Sequence, residues 1–530
     1  MVTTQRRAAV KTRRFVNWFV DGVERAGNRL PEPFALFVLL FTAIAVISTA
    51  MAAFGVSTRV PGAEEATPVQ GLFSADGLTW LTTNWVDNFV GFPPLGVVLT
   101  LLMAVGIAQR TGMLTALIRR VFGRSPRWLL PYVVGLVAGV ASFMSDASVI
   151  VVPPLAAMVF KAAGRHPVAG LLGAYATATA GFSVSPFVTS TDALLSGITS
   201  AAAESLPDAG TAVTPVSNYF LIAPMSIVLA LVSGLLIDKV LEPALNRRRV
   251  PRETTAEDES GSGASEDRPD LRMDAHLEPR ERRGLRWAGC ALLITMAAVL
   301  ALTLPPGAPM RGENGGFLPS SPLLDSVVFL VFLALVTPGL IYGLVTRTIT
   351  GSADIAGMVG GSIKDMSGFV VIVFVLAQFL ALFKWSGLST WLAVSGANLL
   401  DKANFTGFAA IVAFILLAGL INLFIGSGSA QWTLFAAVFV PMFALLGYEP
   451  GFVQAAFRIG DSTTNAISPL SPYIVVILGF LRAYEPKAGL GTIIARAFPF
   501  TAVFLVIWMA FLTVYYLAGI PVGPGTGSHL

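Results

Sequence analysis

Long apolar stretches recur along the whole chain. A helix of about 20 apolar residues is long enough to cross the hydrocarbon core of a bilayer. Seven stretches have this length and character: 33–54, 88–108, 218–237, 287–304, 323–345, 366–384 and 498–519. In hydrocarbon every backbone N–H and C=O group needs an internal partner, which a helix supplies within one segment. The pattern therefore predicts an all-α polytopic membrane protein.

In four further segments the apolar pattern is interrupted by small polar residues or by proline. The segments 131–160 and 407–446 each consist of two apolar runs around a polar tip, which predicts two re-entrant hairpins. The predicted tips are Ser145-Asp146-Ala147-Ser148 and Gly426-Ser427-Gly428-Ser429. The segments 168–190 and 452–478 are long enough to span but contain a Ser-Pro step, which predicts a broken helix. Together these features predict about nine transmembrane helices plus two re-entrant hairpins.

The two halves of the chain contain these features in the same order. Pro167 and Pro450 each follow a short polar turn, and the steps Ser185-Pro186 and Ser468-Pro469 follow them at the same offset. Alternating the crossings from a cytoplasmic N-terminus makes the first hairpin enter from the cytoplasm and the second from outside. The halves are therefore predicted to form an inverted repeat, an arrangement typical of secondary transporters with a substrate site at the repeat interface.

Charged residues set the predicted orientation and the domain limits. They make up 12% of the chain, against about 25% in an average soluble domain. The basic clusters, beginning with the N-terminal arm 1–32, are predicted to be cytoplasmic. The loops that are poor in Lys and Arg are predicted to lie outside: 55–87, 196–217 and 305–322. The highly charged stretch 246–286 is predicted to be a solvated cytoplasmic linker between a first half, 33–245, and a second half, 287–530.

The stretch RIGDSTTNAISPLSPY, residues 458–473, places ionisable side chains where a span is expected. Arg458 and Asp461 are three residues apart, and Asp461 and Asn465 are four apart, so all three share one helical face. A helix break frees backbone carbonyls that can ligate a cation and N–H groups that can hold an anion. Ionisable residues at membrane depth are functional candidates by default.

Each candidate also has a purely structural interpretation. Arg458 and Asp461 can neutralise one another as a buried pair. Trp432, directly after the second tip, can be an interfacial anchor instead of a ligand contact. Four other candidates can be helix caps: Asn465, Asn422, Asp146 and Asp192. The sequence alone leaves both interpretations open for each of these residues.

Several functional classes find little support in the sequence. Cys290 is the only cysteine and the three histidines lie far apart, so neither a disulfide nor a His/Cys metal cluster is expected. No GxxxxGK[ST] phosphate loop is present, and the small net charge of +4 does not indicate a nucleic-acid partner. Two alternatives to a transporter are a channel, which would need a ring of repeated polar residues, and a membrane-embedded hydrolase, which would need a Ser/His/Asp set or HExxH.

Five motifs resemble the p-aminobenzoyl-glutamate transporter (AbgT) family. They are NRLPEPFALF at 28–37, FPPLGVVLTLLMAVGIAQRTGML at 92–114, SDASVIVVPPLAAMVFKAAGRHPVAG at 145–170, INLFIGSGSAQW at 421–432 and PMFALLGYEPGFVQAAFRIGDSTTNAISPLSPY at 441–473. The resemblance covers about residues 28 to 520. It implies a homodimer in the bacterial cytoplasmic (inner) membrane, with nine spans and two re-entrant hairpins. It also implies a small aromatic substrate, either imported p-aminobenzoyl-glutamate or an exported sulfonamide antimetabolite, driven by a sodium or proton gradient.

The resemblance also assigns site residues by motif position. The family's substrate-site positions fall on Asp192, Asn422, Trp432, Pro450, Arg458 and Asp461, and the sodium ligands are expected at Asn422, Asp461 and Asn465. One carboxylate and two amide oxygens form an all-oxygen set with a single negative charge, which favours Na+ over H+ as the coupling ion. The second tip commonly reads SAKW in the family but reads SAQW here, so Gln431 replaces a positive charge.

Overall fold

The structure is a computed structural model that describes residues 33–59, 66–123, 125–144, 146–206, 210, 212–247, 277–312, 315–317, 321–425 and 427–530. Eight helices in this part of the chain are long and apolar enough to cross a membrane. The prediction of an all-α polytopic membrane protein is therefore confirmed. The count of nine crossings stays a prediction, as do the inverted orientation of the halves and the re-entrant path of the hairpins.

Some predicted features lie outside the described residues. They are the arm 1–32, most of the linker 246–286, the tip residues Ser145 and Gly426, and the side chain of Asp146.

The first half is helical along most of its described length. Its helices are α1 (Pro33–Ala53), α2 (Ala75–Val90), α3 (Pro93–Arg110), α4 (Met113–Phe122), α5 (Leu130–Val140), α6 (Asp146–Ala162), α7 (Pro167–Ala180), α8 (Ser190–Ala203), α9 (Tyr219–Leu235) and α10 (Glu242–Arg247). A π-helical turn, Leu236–Leu241, joins α9 to α10 without a break. Two short antiparallel strands follow α1: β1 (Ser57–Thr58) and β2 (Thr67–Pro68).

The second half repeats this helical character. Its helices are α11 (Pro279–Ala301), α12 (Pro322–Asp325), α13 (Val327–Thr346), α14 (Ser352–Asp365), α15 (Ser367–Trp385), α16 (Leu388–Lys402), α17 (Phe408–Asn422), α18 (Gly428–Leu445), α19 (Pro450–Thr464), α20 (Pro472–Arg482) and α21 (Leu490–Ala518). The pairs α5–α6 and α17–α18 occupy the two segments for which hairpins are predicted.

Helix α2 begins inside a stretch, 55–87, that the charge pattern assigned to an outer loop. The helix starts after Ser74, whose hydroxyl accepts a hydrogen bond of 3.0 Å from the backbone N–H of Gly77. This N-cap satisfies a donor that a helix start otherwise leaves unpaired. A scarcity of Lys and Arg does not exclude a locally capped helix, so part of this stretch is helical, and its placement outside stays a prediction.

Helix α11 begins at Pro279, inside the stretch predicted to be a solvated linker. The side chain of Glu281 accepts a hydrogen bond of 2.9 Å from the backbone N–H of Glu278 at the helix start. Glu281 also forms an ion pair of 2.5 Å with Arg119 at the end of α4. A capped start and a tertiary partner thus extend the helix into charged sequence.

The two broken helices begin alike. Pro167 and Pro450 lie in the first turns of α7 and α19, where a missing backbone N–H costs nothing. Gly164 and Gly447, in the turns before them, have φ values of 68° and 86°, a region that favours glycine. Both helices end before their Ser-Pro step, and α19 continues as a short 3₁₀ turn, Asn465–Ile467.

These broken helices lie at the centre of the molecule. Every residue of α19 and every residue of α7 after Pro167 is buried. Helix α19 packs against α8, α17, α18 and α21, while α7 packs against α5, α6 and α21. Helices α1, α11 and α13 are apolar, yet few of their residues are buried, as expected of surfaces that face lipid. Polar side chains on α19 are therefore far from the lipid-facing surface.

Candidate functional site

The end of α19 is tied to the end of α17 by one amide group. The Nδ2 atom of Asn422 lies 2.7 Å from the backbone oxygen of Asp461, 2.9 Å from Oγ1 of Thr464 and 2.9 Å from Oδ1 of Asn465. Asn422 is 1% exposed. Its amide therefore gives a partner to the backbone oxygen of Asp461 at the end of α19, where carbonyls lack helical partners, and it also contacts two side-chain oxygens. Asn422 caps a helix other than its own, and Asn465 is the residue that closes α19.

The carboxylate of Asp461 faces the start of α18. A Cβ atom placed on Gly428 would lie 2.9 Å from Oδ1 and 3.1 Å from Oδ2 of Asp461, so a side chain there would have to displace the carboxylate. The Oδ1 atom is buried and has no hydrogen-bond partner among the described residues. A helix N-terminus favours a nearby negative charge. The geometry thus leaves one carboxylate oxygen available to a small cation or a proton.

Arg458 forms a buried ion pair across the two halves. Its Nη2 atom bonds to Oδ1 of Asp192 on α8, and the two residues are 1% and 7% exposed. The interpretation of Arg458 and Asp461 as a mutually neutralising pair is therefore wrong for the described residues, because the guanidinium turns to Asp192. The Nε atom of Arg458 is buried and has no partner among the described residues.

Asp192 also serves as part of a helix cap. Its Oδ2 atom accepts hydrogen bonds of 2.6 Å from the backbone N–H and 2.7 Å from the hydroxyl of Thr189. The hydroxyl of Thr189 in turn accepts a bond of 3.2 Å from the backbone N–H of Asp192, completing a capping box. The capping and the charged roles are therefore compatible, because each uses a different carboxylate oxygen. This box starts α8, which runs into the predicted outer loop 196–217.

Trp432 is part of the protein interior. It is 0% exposed, so the interpretation as an interfacial anchor is wrong. Its ring centroid lies 4.5 Å from that of Phe457 at an interplanar angle of 33°. Its Nε1 atom donates hydrogen bonds of 3.0 Å to Oγ1 of Thr199 and 3.2 Å to the backbone oxygen of Leu195. Phe457 directly precedes Arg458 on α19, so the aromatic pair includes the sequence neighbour of the charged residue.

Gln431 is held between the two arms of the second helix pair. It is 0% exposed, and its Nε2 atom donates a hydrogen bond of 2.7 Å to the backbone oxygen of Ala418 on α17. Its Oε1 atom is buried without a partner among the described residues. The neutral amide thus braces α18 against α17 and leaves an acceptor where a lysine would bring a charge.

The two helix breaks meet each other. The backbone N–H of Ser183, just after α7, donates a hydrogen bond of 3.3 Å to the hydroxyl of Ser462 on α19. Each break also contacts its own helix pair: Ser142 reaches the backbone oxygen of Val184 at 3.3 Å, and Ser468 reaches that of Asn422 at 3.5 Å. The two breaks therefore contact each other, and each contacts the helix pair of its own half.

Most predicted site residues are brought together, but Pro450 is not part of this cluster. It lies eleven residues before Asp461 on the same helix, or roughly 16 Å at 1.5 Å per residue. It starts α19 beside the C-terminal segment. Thr199 and Gln454, which the sequence analysis did not single out, do contact the cluster. Their signal was spacing, since Gln454 lies four residues before Arg458 and Thr199 lies seven after Asp192.

Paired broken helices, with buried charged and polar groups at their breaks, are the architecture of a polytopic membrane transporter. The comparison with known families agrees with this class. The chain matches the AbgT putative transporter family over residues 18–530 and belongs to that family. Its relatives are named as transport proteins, and the chain is accordingly a transporter and not an enzyme.

Individual relatives match along nearly their full length. The p-aminobenzoyl-glutamate transport protein of Escherichia coli (strain K12) is 38% identical over 509 residues, which is 96% of each chain. The YdaH transporter of Alcanivorax borkumensis has a TM-score of 0.85 at 35% identity, covering 93% of this chain and 100% of that one. MtrF of Neisseria gonorrhoeae, described within a class of antimetabolite efflux pumps, has a TM-score of 0.85 at 36% identity, covering 96% and 100%.

Proposed function

We propose that this chain is a secondary transporter of p-aminobenzoyl-glutamate, or of an aromatic compound with similar acidic groups, across the bacterial cytoplasmic membrane. The observation that carries the proposal is the buried guanidinium of Arg458, whose Nε atom lacks a partner among the described residues. A guanidinium binds carboxylates in a bidentate geometry. The adjacent pair of Trp432 and Phe457 suits the stacking of a benzoyl ring.

The burial of these groups supports a carrier over an open pore. Trp432, Arg458 and Asp461 are 0%, 1% and 4% exposed, so a substrate reaches them only if the surrounding helices move. A carrier that alternates between two openings makes such movements at a fixed central site. Counterflow in proteoliposomes tests this point, because a carrier exchanges labelled for unlabelled substrate and a channel does not.

We further propose that the coupling ion is Na+, held beside the second break. Asp461 supplies a carboxylate oxygen, and Asn465 and Thr464 supply uncharged oxygens. Asn422, which the family resemblance gives as a ligand, contacts those two oxygens through its N–H groups, and we assign it the role of holding them in place. A buried carboxylate is costly without a counter-charge. A cation bound there would offset that cost and draw the tip at Gly428 towards α19, one turn from Arg458, which links ion binding to the substrate site.

Flux measurements with separate gradients test the ion and the substrate together. Proteoliposomes receive labelled p-aminobenzoyl-glutamate under a sodium gradient alone or a pH gradient alone, and we expect transport with sodium. Asn465→Ala should raise the sodium concentration for half-maximal transport by about threefold to tenfold, since one oxygen contact is lost, without changing which substrates are carried. Asn88→Ala is the control, because Asn88 bonds to Gln378 on α15, away from the break. Equal transport in sodium-free buffer under a pH gradient would contradict the sodium proposal.

A second candidate function is proton-driven export of sulfonamide antimetabolites. The likeness to MtrF, 36% identical and described with antimetabolite efflux pumps, favours it. The sulfonyl group of a sulfonamide offers two oxygens to a guanidinium, and the aniline ring of the same compound can stack on Trp432. Inverted vesicles that accumulate labelled sulfonamide under an imposed pH gradient, but do not accumulate p-aminobenzoyl-glutamate, would favour export over import.

The assembly and orientation belong to the same proposal. The basic clusters favour a cytoplasmic N-terminal arm, and the family resemblance favours a homodimer in the inner membrane. Cys290 is the only cysteine in the chain and is exposed, so a Cys290→Ser background allows single-cysteine labelling. A cysteine in the arm 1–32 should react with an impermeant reagent only after the cells are opened.

A mass measurement in mild detergent tests the homodimer and should give twice the chain mass.

A further inference from the structure

We propose that Thr199 and Gln454 are positioning residues that set the orientation of the Trp432 indole at the substrate site. The effect on substrate binding rests on the proposed function, whereas the orientation of the indole rests on the hydrogen bonds alone. These residues are 0% and 2% exposed, and they lie on α8 and α19, which belong to different halves. They would therefore act on the substrate through Trp432 without touching it.

A continuous chain of buried hydrogen bonds connects these residues to the start of α19. The Nδ2 atom of Asn218 donates 2.7 Å to the backbone oxygen of Gly451, and its Oδ1 atom accepts 2.8 Å from Nε2 of Gln454. The Oε1 atom of Gln454 lies 2.5 Å from Oγ1 of Thr199. Thr199 Oγ1 then accepts from Nε1 of Trp432 at 3.0 Å.

The backbone oxygen of Gly451 fixes the direction of every bond in this chain. A carbonyl can only accept, so the amide of Asn218 must present its NH₂ group to Gly451 and its oxygen to Gln454. Gln454 must then present its NH₂ group to Asn218 and its oxygen to Thr199. The hydroxyl of Thr199 is left with a lone pair for the indole N–H, which can only donate. A single arrangement satisfies all four side chains.

Removing Gln454 would free the hydroxyl of Thr199 to donate elsewhere. Its other acceptor is the backbone oxygen of Leu195 at 2.7 Å, which is also the second acceptor for the indole of Trp432 at 3.2 Å. The hydroxyl and the indole would then compete for that oxygen. Without a fixed partner, the indole loses the constraint that holds its plane against Phe457.

Two isosteric variants test the proposal, each with a matched control. Thr199→Val and Gln454→Met remove the hydrogen bonds while keeping the side-chain volume. Thr177→Val is the control for the first, because Thr177 is 2% exposed and bonds to Gly173 at 2.7 Å within α7. Gln378→Met is the control for the second, because Gln378 is 2% exposed and bonds to the backbone oxygen of Trp85 at 2.6 Å.

The first readout separates positioning from general stability. We expect Thr199→Val and Gln454→Met to raise the KM for the aromatic substrate by about fivefold to tenfold, as expected for a lost hydrogen bond, with the maximal rate changed less than twofold. The midpoint of thermal unfolding should fall no more than in the matched control. A KM unchanged within twofold, or a rise in KM equal to that of the controls, would overturn the proposal.

A double-mutant cycle asks whether Thr199 acts through the indole. Trp432→Phe removes the N–H donor, so Thr199→Val should change KM much less in that background than in the wild type. Equal fold-changes in the two backgrounds would mean that Thr199 acts by another route and would overturn the proposal.

A second readout does not depend on transport. The near-ultraviolet circular dichroism band that Trp432→Phe removes should be weakened in Thr199→Val and Gln454→Met and intact in both controls. An intact band in the test variants would overturn the positioning role even if transport is altered. If the band weakens but no variant, including the wild type, carries the aromatic substrate, the positioning role stands and the proposed function fails.

Discussion

At the scale of single residues, Arg458 is the most buried charged residue in the described part of the chain. A buried ion pair is costly to desolvate, and replacing both partners is often less harmful than removing one. Arg458 and Asp192 are 1% and 7% exposed. The Nε atom of Arg458 has no partner among the described residues, whereas Oδ2 of Asp192 accepts two hydrogen bonds from Thr189. We infer that the pair is retained for its position at the junction of the halves, since an apolar pair would fill the same space at lower cost.

The charge pair leads to a stability prediction. Asp192→Asn should lower the free energy of unfolding by about 3 kcal/mol, because the guanidinium of Arg458 is left buried without a counter-charge. The double variant Asp192→Asn/Arg458→Gln should recover part of that loss. The midpoint of thermal unfolding in detergent measures both changes.

An exposed ion pair is the control for this prediction. Glu204 and Lys384 are 2.7 Å apart with side chains 60% and 46% exposed, so Glu204→Gln should have little effect. If the double variant unfolds at a lower temperature than either single variant, Arg458 and Asp192 do not neutralise one another in the folded protein.

At the scale of elements, α17 and α19 cross at two small residues. A Cβ atom on Gly460 would lie 2.3 Å from the backbone oxygen of Ile415 and 2.8 Å from the Cβ of Ala418. A Cβ atom on Gly419 would meet Thr464 and Gly460 in the same way, at 3.2 Å and 3.3 Å. Close approach of the two backbones is therefore what brings Asn422 within reach of the end of α19.

This crossing predicts different outcomes for two glycines. Gly460→Ala should lower the free energy of unfolding by about 2 kcal/mol through overpacking, and it should weaken transport by displacing Asn422. Gly479→Ala, in α20, is the matched control, because no atom of the described residues lies within 4 Å of its added Cβ. It should be neutral or stabilising by up to about 1 kcal/mol, since alanine favours helices. A harmless Gly460→Ala would show that α17 and α19 can separate without loss.

The sequence predicted the elements best where a single physical rule decides them. Apolar length located the long helices, and Pro167 and Pro450 located the starts of the broken ones. The rule failed for α2 and α16, which are shorter or more polar than the long spans. Helix α2 starts at the Ser74 cap, and α16 packs against α18. It also failed at Pro279, because the ion pair between Glu281 and Arg119 that supports the start of α11 joins residues distant in sequence.

The candidate site shows the same limit. The shared face of Arg458, Asp461 and Asn465 follows from helical spacing and could be predicted. The partners of these residues could not, because Asp192 lies in the other half and Asn422 lies on a different helix. Spacing identifies a face, whereas the neighbour that meets it depends on how the halves pack.

At the scale of the whole molecule, the two halves meet where each broken helix ends. The backbone N–H of Ser183 bonds to the hydroxyl of Ser462 at 3.3 Å, and the pair Asp192–Arg458 joins the same halves. In an alternating-access cycle one repeat moves against the other around the central site. A contact between the two breaks should then form and part during each cycle.

A reversible cross-link between the breaks tests this movement. In a Cys290→Ser background, the variant Ser183→Cys/Ser462→Cys should form a disulfide on oxidation, and transport should stop until a reductant is added. An engineered protease site in the stretch 246–286 reports the bond, because the cleaved halves then migrate together on a non-reducing gel and apart on a reducing one. Each single-cysteine variant is the control and should transport equally well before and after oxidation. Full transport by the cross-linked protein would mean that the breaks stay together throughout the cycle. The helix pairs α5–α6 and α17–α18 would then have to move relative to the helices around them.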